Sequence, residues 1–348
     1  MPDETAVREA LGRLTADTGE ALLVEQDVGA IVVGGGWIVV ILRKEGLSRE
    51  GLARVHAHLR EEFPTMSVEL RCASGVYRGG AGFGEGSHVL AVFGGKGGVG
   101  KSTIAVNLAL TLKAMGLSVG VLDADLNAPD IPHLLGLHPK RPPRSPGWVL
   151  SSPKVVPPPE RMQPHERLGV ELMSVGFVVP EGYAPMMTSR MLVSSLLRYL
   201  LFDVAWTARV LIIDAPPGTG EELQVMASEL PLSGAIFVTT PQDLAQMDAE
   251  RTLSFLSEHD VPVIGLVQNM AFMTCPHCDQ EIDMYAQSRR LEESGLSILG
   301  RIPFDVQLSK AADGGRPLVL GDPRGPIAYE FARIGAQVRR WLDTHVSS

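Results

Sequence analysis

At 348 residues, 45% of them hydrophobic, the chain can bury the core of one large α/β domain and a smaller companion. Its formal net charge of −9 excludes a broadly basic nucleic-acid-binding surface, because phosphate neutralisation needs clustered Lys and Arg. The opening MPDETAVREALGRL lacks a basic region leading into an apolar core, no run approaches a membrane span, and three cysteines (Cys72, Cys275, Cys278) make no disulfide framework, so a cytoplasmic protein is expected.

Taken in chain order, residues 6–16 carry a helical pattern, and residues 29–42 read as two β-rich runs turned at Gly34-Gly35-Gly36. Residues 47–63 space Leu52, Val55 and Leu59 as a helix does, and residues 66–72 alternate like a strand. Residues 1–74 therefore read as a small N-terminal α/β domain without a cysteine motif, suited to structure or docking rather than chemistry. Residues 75–87 carry Gly75, Gly79, Gly80, Gly82, Gly84 and Gly86, the composition of a linker. The remainder, residues 88–348, forms the main domain.

That domain opens on the stretch that organises it. Residues 89–93 are an apolar run fit for a buried parallel strand, and a turn follows of Gly94, Gly95, Lys96, Gly97, Gly98, Val99 and Gly100. Lys101, Ser102 and Thr103 then begin a helical pattern. From Gly95 to Ser102 the spacing is G-x-x-x-x-G-K-S, in which the glycines let successive backbone N–H groups point at one anion, at the positive end of a helix. Lys101 is placed to reach the β- and γ-phosphates and the Ser102 hydroxyl to hold Mg²⁺, so a nucleoside triphosphate is the expected ligand.

One ammonium suffices for one set of phosphates. A second on the same loop, Lys96, points to a nucleotide across a two-fold dimer. Here the sequence resembles the deviant Walker A ATPases, among them MinD, ParA, the nitrogenase iron protein and the Mrp/ApbC iron-sulfur carriers, in which such a lysine crosses to the partner's ATP. The loop alone leaves the choice among them open.

Further apolar strands are expected at residues 119–122, 170–175, 210–213, 235–238 and 263–267, mostly separated by helical patterns. Such alternation implies right-handed crossovers and a doubly wound, mostly parallel sheet with the nucleotide at the strands' carboxyl ends. Prolines crowd residues 139–164, which read as a mobile surface loop without regular structure. Ile327, Phe331, Ile334, Val338 and Trp341 form one stripe of a C-terminal helix. MinD-type proteins bind membranes with such a helix, but this stripe is expected to pack on its own sheet.

Asp214 ends an apolar strand and precedes a Gly/Pro loop, which makes it the Walker B candidate acting on Mg²⁺ indirectly, with Gly218 on a switch that senses ATP. The plainer alternative is an aspartate capping a turn. Asp123 and Asp125 end another strand. In the families resembled, the second Asp of such a D-x-D orients the attacking water, so Asp125 is the catalytic choice and Asp123 its support. The same resemblance implies that Asn269 grips the adenine edge and that Pro303, in the I-P-x-D segment 302–305, closes the base pocket.

Asn269 also opens a run ending Cys275-Pro-His-Cys278. Two thiols at C-x-x-C spacing supply half of a four-ligand site, so sharing across a two-fold axis is implied, with a bridging iron-sulfur cluster, a shared Zn²⁺ and a thiol-disulfide pair all compatible with the residues. At this motif the resemblance narrows to the Mrp/ApbC family, whose N-M-x-x-x-x-C-P-x-C follows the same strand. Segments 173–177, 216–220 and 238–243 match as well. The resemblance implies an ATP-binding, slowly ATP-hydrolysing homodimer that holds a 4Fe-4S cluster through four cysteines and passes it to apo iron-sulfur proteins. A MinD/ParA-like positioning ATPase is the rival, and it has no use for the thiols. Departures from the family pattern lie at Ala128-Pro129-Asp130, Thr188-Ser189-Arg190-Met191 and residues 285–290.

Overall fold

The computed structural model describes the chain except residues 1, 15–21, 35–36, 44–48, 73–74, 78–86, 126–127, 138–149, 152–153, 156–161, 179–192, 194–195, 198–199, 202–203, 219–220, 231, 286–295 and 346–348. The departure at Thr188–Met191 and most of that at 285–290 thus lie outside the described residues, as does most of the glycine-rich linker. The chain divides into two compact units, Met1–Gly82 and Phe83–Ser348.

In the first unit, the helix Glu4–Gly12 starts where the Asp3 carboxylate accepts the Ala6 N–H at 2.9 Å. Strands β1 (Val28–Gly34) and β2 (Trp37–Leu42) pair antiparallel, β3 (Ser67–Cys72) adds parallel to β2 after the helix Arg49–Glu62, and β4 (Gly75–Tyr77) closes the sheet antiparallel to β3. Val7, Leu11, Ile38, Val40, Val55, Leu59 and Leu70 form its core. Strand β4 corrects the linker reading. A ladder needs only backbone groups, so the run of glycines after residue 74 concealed three residues that pair with Leu70–Cys72.

The second unit contains an eight-stranded sheet. Its strands are β5 (His88–Phe93), β6 (Val119–Asp123), β9 (His165–Arg167), β10 (Val170–Ser174), β11 (Val210–Asp214), β12 (Gly234–Thr239), β13 (Val263–Gln268) and β16 (Ile298–Arg301). Their order is β16-β13-β12-β5-β11-β6-β10-β9, parallel throughout except for β9 at one edge. The fold is therefore a doubly wound α/β architecture. β5, β6, β11 and β12 are buried along their whole length because helices cover both faces, which is why they read as unbroken apolar runs.

One face packs under Leu196, Leu197, Leu200, Met226 and Leu256. The other packs under the helix Lys101–Ala114 and the C-terminal helix Pro326–His345. Ile327, Phe331, Ile334 and Val338 of the latter are buried against the sheet, each contributing on the order of 1.5–3 kcal/mol, so this stripe is spent on the core. Among the described residues no helix is long and apolar enough to cross a membrane.

Three details differ from the expected elements. Strand β10 stops at Ser174, and Val175–Val178 is a single helical turn. The proline-crowded segment holds a small hairpin of β7 (Leu150–Ser151) and β8 (Lys154–Val155), two pairs of residues free of proline and so able to donate to a ladder. Beyond β13, β14 (Met273–Thr274) and β15 (Glu281–Ile282) form another two-rung hairpin.

Candidate functional site

The parallel register brings four strand ends level. Asp214 of β11 pairs with both Val92 of β5 and Asp123 of β6, and Asp123 pairs with Ser174 of β10. One row across the carboxyl end of the sheet therefore reads Val92, Asp214, Asp123, Ser174, and the loop from Gly94 to Gly100 begins two residues beyond its first member. Gly98 and Gly100 take φ values of +79° and +89°, the left-handed region open to glycine, and turn the chain into the helix that starts at Lys101. A Cβ on Gly94 would lie 3.0 Å from the Lys101 stem, so the loop packs onto the lysine it presents.

A cavity of about 360 Å³ opens on this loop, and Gly97, Gly98, Gly100, Lys101, Ser102 and Thr103 line it together with Asp125. Ala128, Asp130, His133, Pro217 and Asp313 reach it as well. Lys101 is buried and Lys96 half-buried. The Asp125 Oδ1 accepts the Ala128 N–H at 3.1 Å. From the other side, the Gly218 N–H donates to the Gly94 carbonyl at 3.4 Å, with Gly218 at φ +86°.

Behind the cavity lie the two strand-end carboxylates. Asp123 Oδ2 accepts from the Ser174 hydroxyl at 3.0 Å and the Ile131 N–H at 3.2 Å, while Oδ1 accepts the Asp125 N–H at 3.3 Å. Burial and then the neighbouring Asp214 charge push its carboxyl well above the usual carboxylate range, outweighing those three hydrogen bonds. Asp123 thus ties Ser174 of β10, Asp125 and Ile131 to one point. Ser174 lies in a segment that the sequence matched but gave no role; its register opposite Asp123 supplies one.

Asp214 is equally buried, and neither of its oxygens has a partner of good hydrogen-bond geometry. Burial raises its carboxyl to about 7; the nearby Ser102 hydroxyl and Lys101 pull it down, while Asp125 and Asp130 push it up. A buried carboxylate with both oxygens orphaned beside a hydroxyl that lines the cavity is a donor set that suits a hydrated divalent cation.

Asn269 and Pro303 do not line this cavity. Asn269 follows β13, and its Nδ2 donates to the Val99 carbonyl at 2.8 Å while its Oδ1 is buried without a partner. A Cβ on Gly100 would fall 2.2 Å from that Nδ2. The sequence motif demands Gly100 for its φ; the structure adds a close approach that the motif does not announce.

Cys275 and Cys278 sit at the turn of the β14–β15 hairpin. The Cys275 N–H donates to the Gln280 carbonyl at 2.9 Å, the Asp279 N–H donates to the Cys275 carbonyl at 3.0 Å, and Asp279 takes φ +56° to close the turn. Cys275 is half-buried and Cys278 exposed. The backbone N–H groups of His277 and then Cys278, with the Cys278 thiol, favour a thiolate at Cys275 and hold its pKa below the ordinary thiol value. Among the described residues no three His, Cys, Asp or Glu side chains gather into a metal-binding group, so one chain presents two sulfur ligands here.

Residues 85–339 match the family described as NUBPL iron-transfer P-loop NTPase. The chain belongs to that family. It is similar to an iron-sulfur cluster carrier protein of Methanocaldococcus jannaschii, 37% identical over 252 residues that cover 71% of this chain and 82% of that one. It is also similar to the iron-sulfur cluster transfer protein NUBPL of Dictyostelium discoideum, 34% identical over 260 residues, 74% of this chain and 77% of the other. Among solved structures, a nucleotide-binding protein from Archaeoglobus fulgidus in complex with ADP aligns with a TM-score of 0.54 at 32% identity, covering 70% of this chain and 91% of that one. The cell division ATPase MinD of Pyrococcus furiosus aligns with a TM-score of 0.54 at 18% identity over 73% and 99%, a likeness of fold alone. As a P-loop NTPase of the iron-transfer family, the chain carries its matched segment within the second unit, and the first unit falls outside the match.

Proposed function

We propose that this protein is an ATP-dependent iron-sulfur cluster carrier: two copies hold one 4Fe-4S cluster between their Cys275 and Cys278 thiolates and pass it to apo iron-sulfur proteins. The observation that carries the reading is the hairpin, which offers two accessible sulfurs, one biased towards the thiolate, with no third ligand among the described residues. Four thiolates around a two-fold axis give each iron one protein ligand. The family's iron-transfer description and the names of the relatives support the same reading.

In this reading the glycine loop's N–H groups and Lys101 bind the phosphates, and Lys96 serves the partner's nucleotide. The Ser102 hydroxyl would hold Mg²⁺ and Asp214 would act on it indirectly, and the ion would neutralise phosphate charge. Asp125 positions the attacking water and accepts its proton, supported by Asp123 through the turn that it anchors. The orphaned Oδ1 of Asn269 is free to accept from the adenine amino group, and Pro303 borders the base. The movable element is the Gly218 segment, whose contact with the Gly94 carbonyl is long enough to yield to a γ-phosphate.

Anaerobic reconstitution with iron and sulfide tests the proposal. Size-separated dimer should hold about one 4Fe-4S cluster and monomer almost none. A full cluster on monomer, or one surviving in the Cys275/Cys278 double alanine variant, overturns the shared site.

A further inference from the structure

The cavity on the glycine loop is lined by two carboxylates to which the reading above gives no role, Asp130 and Asp313, and Asp130 is the one beside Asp125 and Lys101. Asp130 precedes the single helical turn Ile131–Leu134, the position from which an aspartate ordinarily accepts first-turn N–H groups. Here it makes no capping hydrogen bond, and Pro132 has removed one of the donors it would need. The neighbouring backbone holds the residue in place, since the Ile131 N–H is the donor to Asp123 Oδ2.

With capping excluded, the surroundings of the side chain define what it does. Asp130 lines the cavity together with Lys101, Ser102 and Asp125. Burial and then the Asp125 charge push its carboxyl above the ordinary carboxylate range, against the pull of His133 and Lys101. Its charge also reaches Asp214, whose two oxygens are buried and unpartnered. A triphosphate entering alone meets Asp125, Asp130 and Asp313 along the lining, with Lys101 as the lysine set among them. In the partly shielded mouth of a cavity, each carboxylate repels bare phosphates and attracts a divalent cation.

We propose that Asp130 makes this site select the metal complex of the nucleotide over the free nucleotide. The inference rests on the nucleotide-binding reading above and adds a specificity residue to it. Asp130 acts by charge, penalising uncomplexed phosphates and favouring the cation that accompanies them. A neutral side chain of similar size is the natural reference.

The test uses the full chain and a fluorescent, slowly hydrolysed ATP analogue, titrated in excess Mg²⁺ and in EDTA, with Mn²⁺ binding to the complex counted by EPR. Asp130→Asn and Asp130→Ser should shrink the EDTA-to-Mg²⁺ ratio of Kd values by roughly three- to tenfold, chiefly by tightening the EDTA value. The same variants should hold Mn²⁺ more weakly, and Asp130→Glu should keep the wild-type ratio. A merely structural Asp130 would weaken binding equally in both buffers, and an unchanged ratio in the two neutral variants overturns the proposal while leaving nucleotide binding intact. Failure of the wild type to bind the analogue in either buffer overturns the nucleotide reading and this inference with it.

Discussion

Asp123 and Asp214 are 0% and 1% exposed, in the middle of an eight-stranded sheet, whereas Cys275 and Cys278 ride on a hairpin of two residue pairs outside it. The carboxylates are held by three parallel ladders and by helices on both faces; the thiols are held by a turn with two backbone hydrogen bonds. Under the proposed function, the difference follows from what each site handles. Phosphate chemistry needs charge fixed in a dry place, and keeping two carboxylates there costs stability. Cargo has to enter and leave, so its ligands belong where little else depends on them.

The largest expected effect concerns that cost. Asp214 rises from its ordinary 3.8 to about 7 in the folded chain. Between those values the folded state keeps a proton that the unfolded state has released, so stability falls as pH rises through the window, by at most about 4 kcal/mol. Asp123, raised for the same reason, adds slope of the same sign. Urea midpoints from pH 4 to 8, without nucleotide and with EDTA, should show the decline, and Asp214→Asn should flatten much of it. An unchanged slope in that variant would break the comparison at its root.

Next in size, Lys101→Ala should cost about 3 kcal/mol of nucleotide binding, roughly a hundredfold in Kd by calorimetry, because a buried charge aimed at phosphates is lost. Wild-type affinity in this variant would remove the glycine loop from the phosphate site. Gly100→Ala should destabilise the protein by about 2 kcal/mol, since alanine must adopt φ +89° and displace an amide 2.2 Å away. Thermal melts decide it.

On the other side of the comparison, Cys275→Ala and Cys278→Ala should each change folding stability by less than about 0.5 kcal/mol while abolishing cluster uptake. Equal midpoints together with loss of iron sharpen the contrast. A large drop in midpoint would mean that the hairpin carries fold as well as cargo.

The parallel core was legible because strands buried on both faces leave unbroken apolar runs, as at residues 119–122 and 210–213. The glycine loop was legible because backbone anion binding dictates both spacing and residue type. β9, spelled His-Glu-Arg, carries no such run, since an edge strand paired on one side needs no apolar alternation. The rungs of β7–β8 and β14–β15 are shorter than any periodicity can register. In the site, the motif residues were visible one by one, but their partners were not. Ser174 meets Asp123 across 51 residues of sequence and Asn269 meets Val99 across 170, distances at which only the finished register supplies the connection.

That last contact ties the glycine loop to the segment that leads to Cys275. Asn269 is clamped at its amide nitrogen by Thr239, at its side chain by Val99, and two residues later Ala271 is held by Ile302 and Phe272 by Phe304, all before the chain reaches Cys275. Such a segment behaves as a bracket with little slack. Under the proposed function, a shift of the glycine loop would act on one end of a six-residue arm whose other end is a thiol of the cluster site.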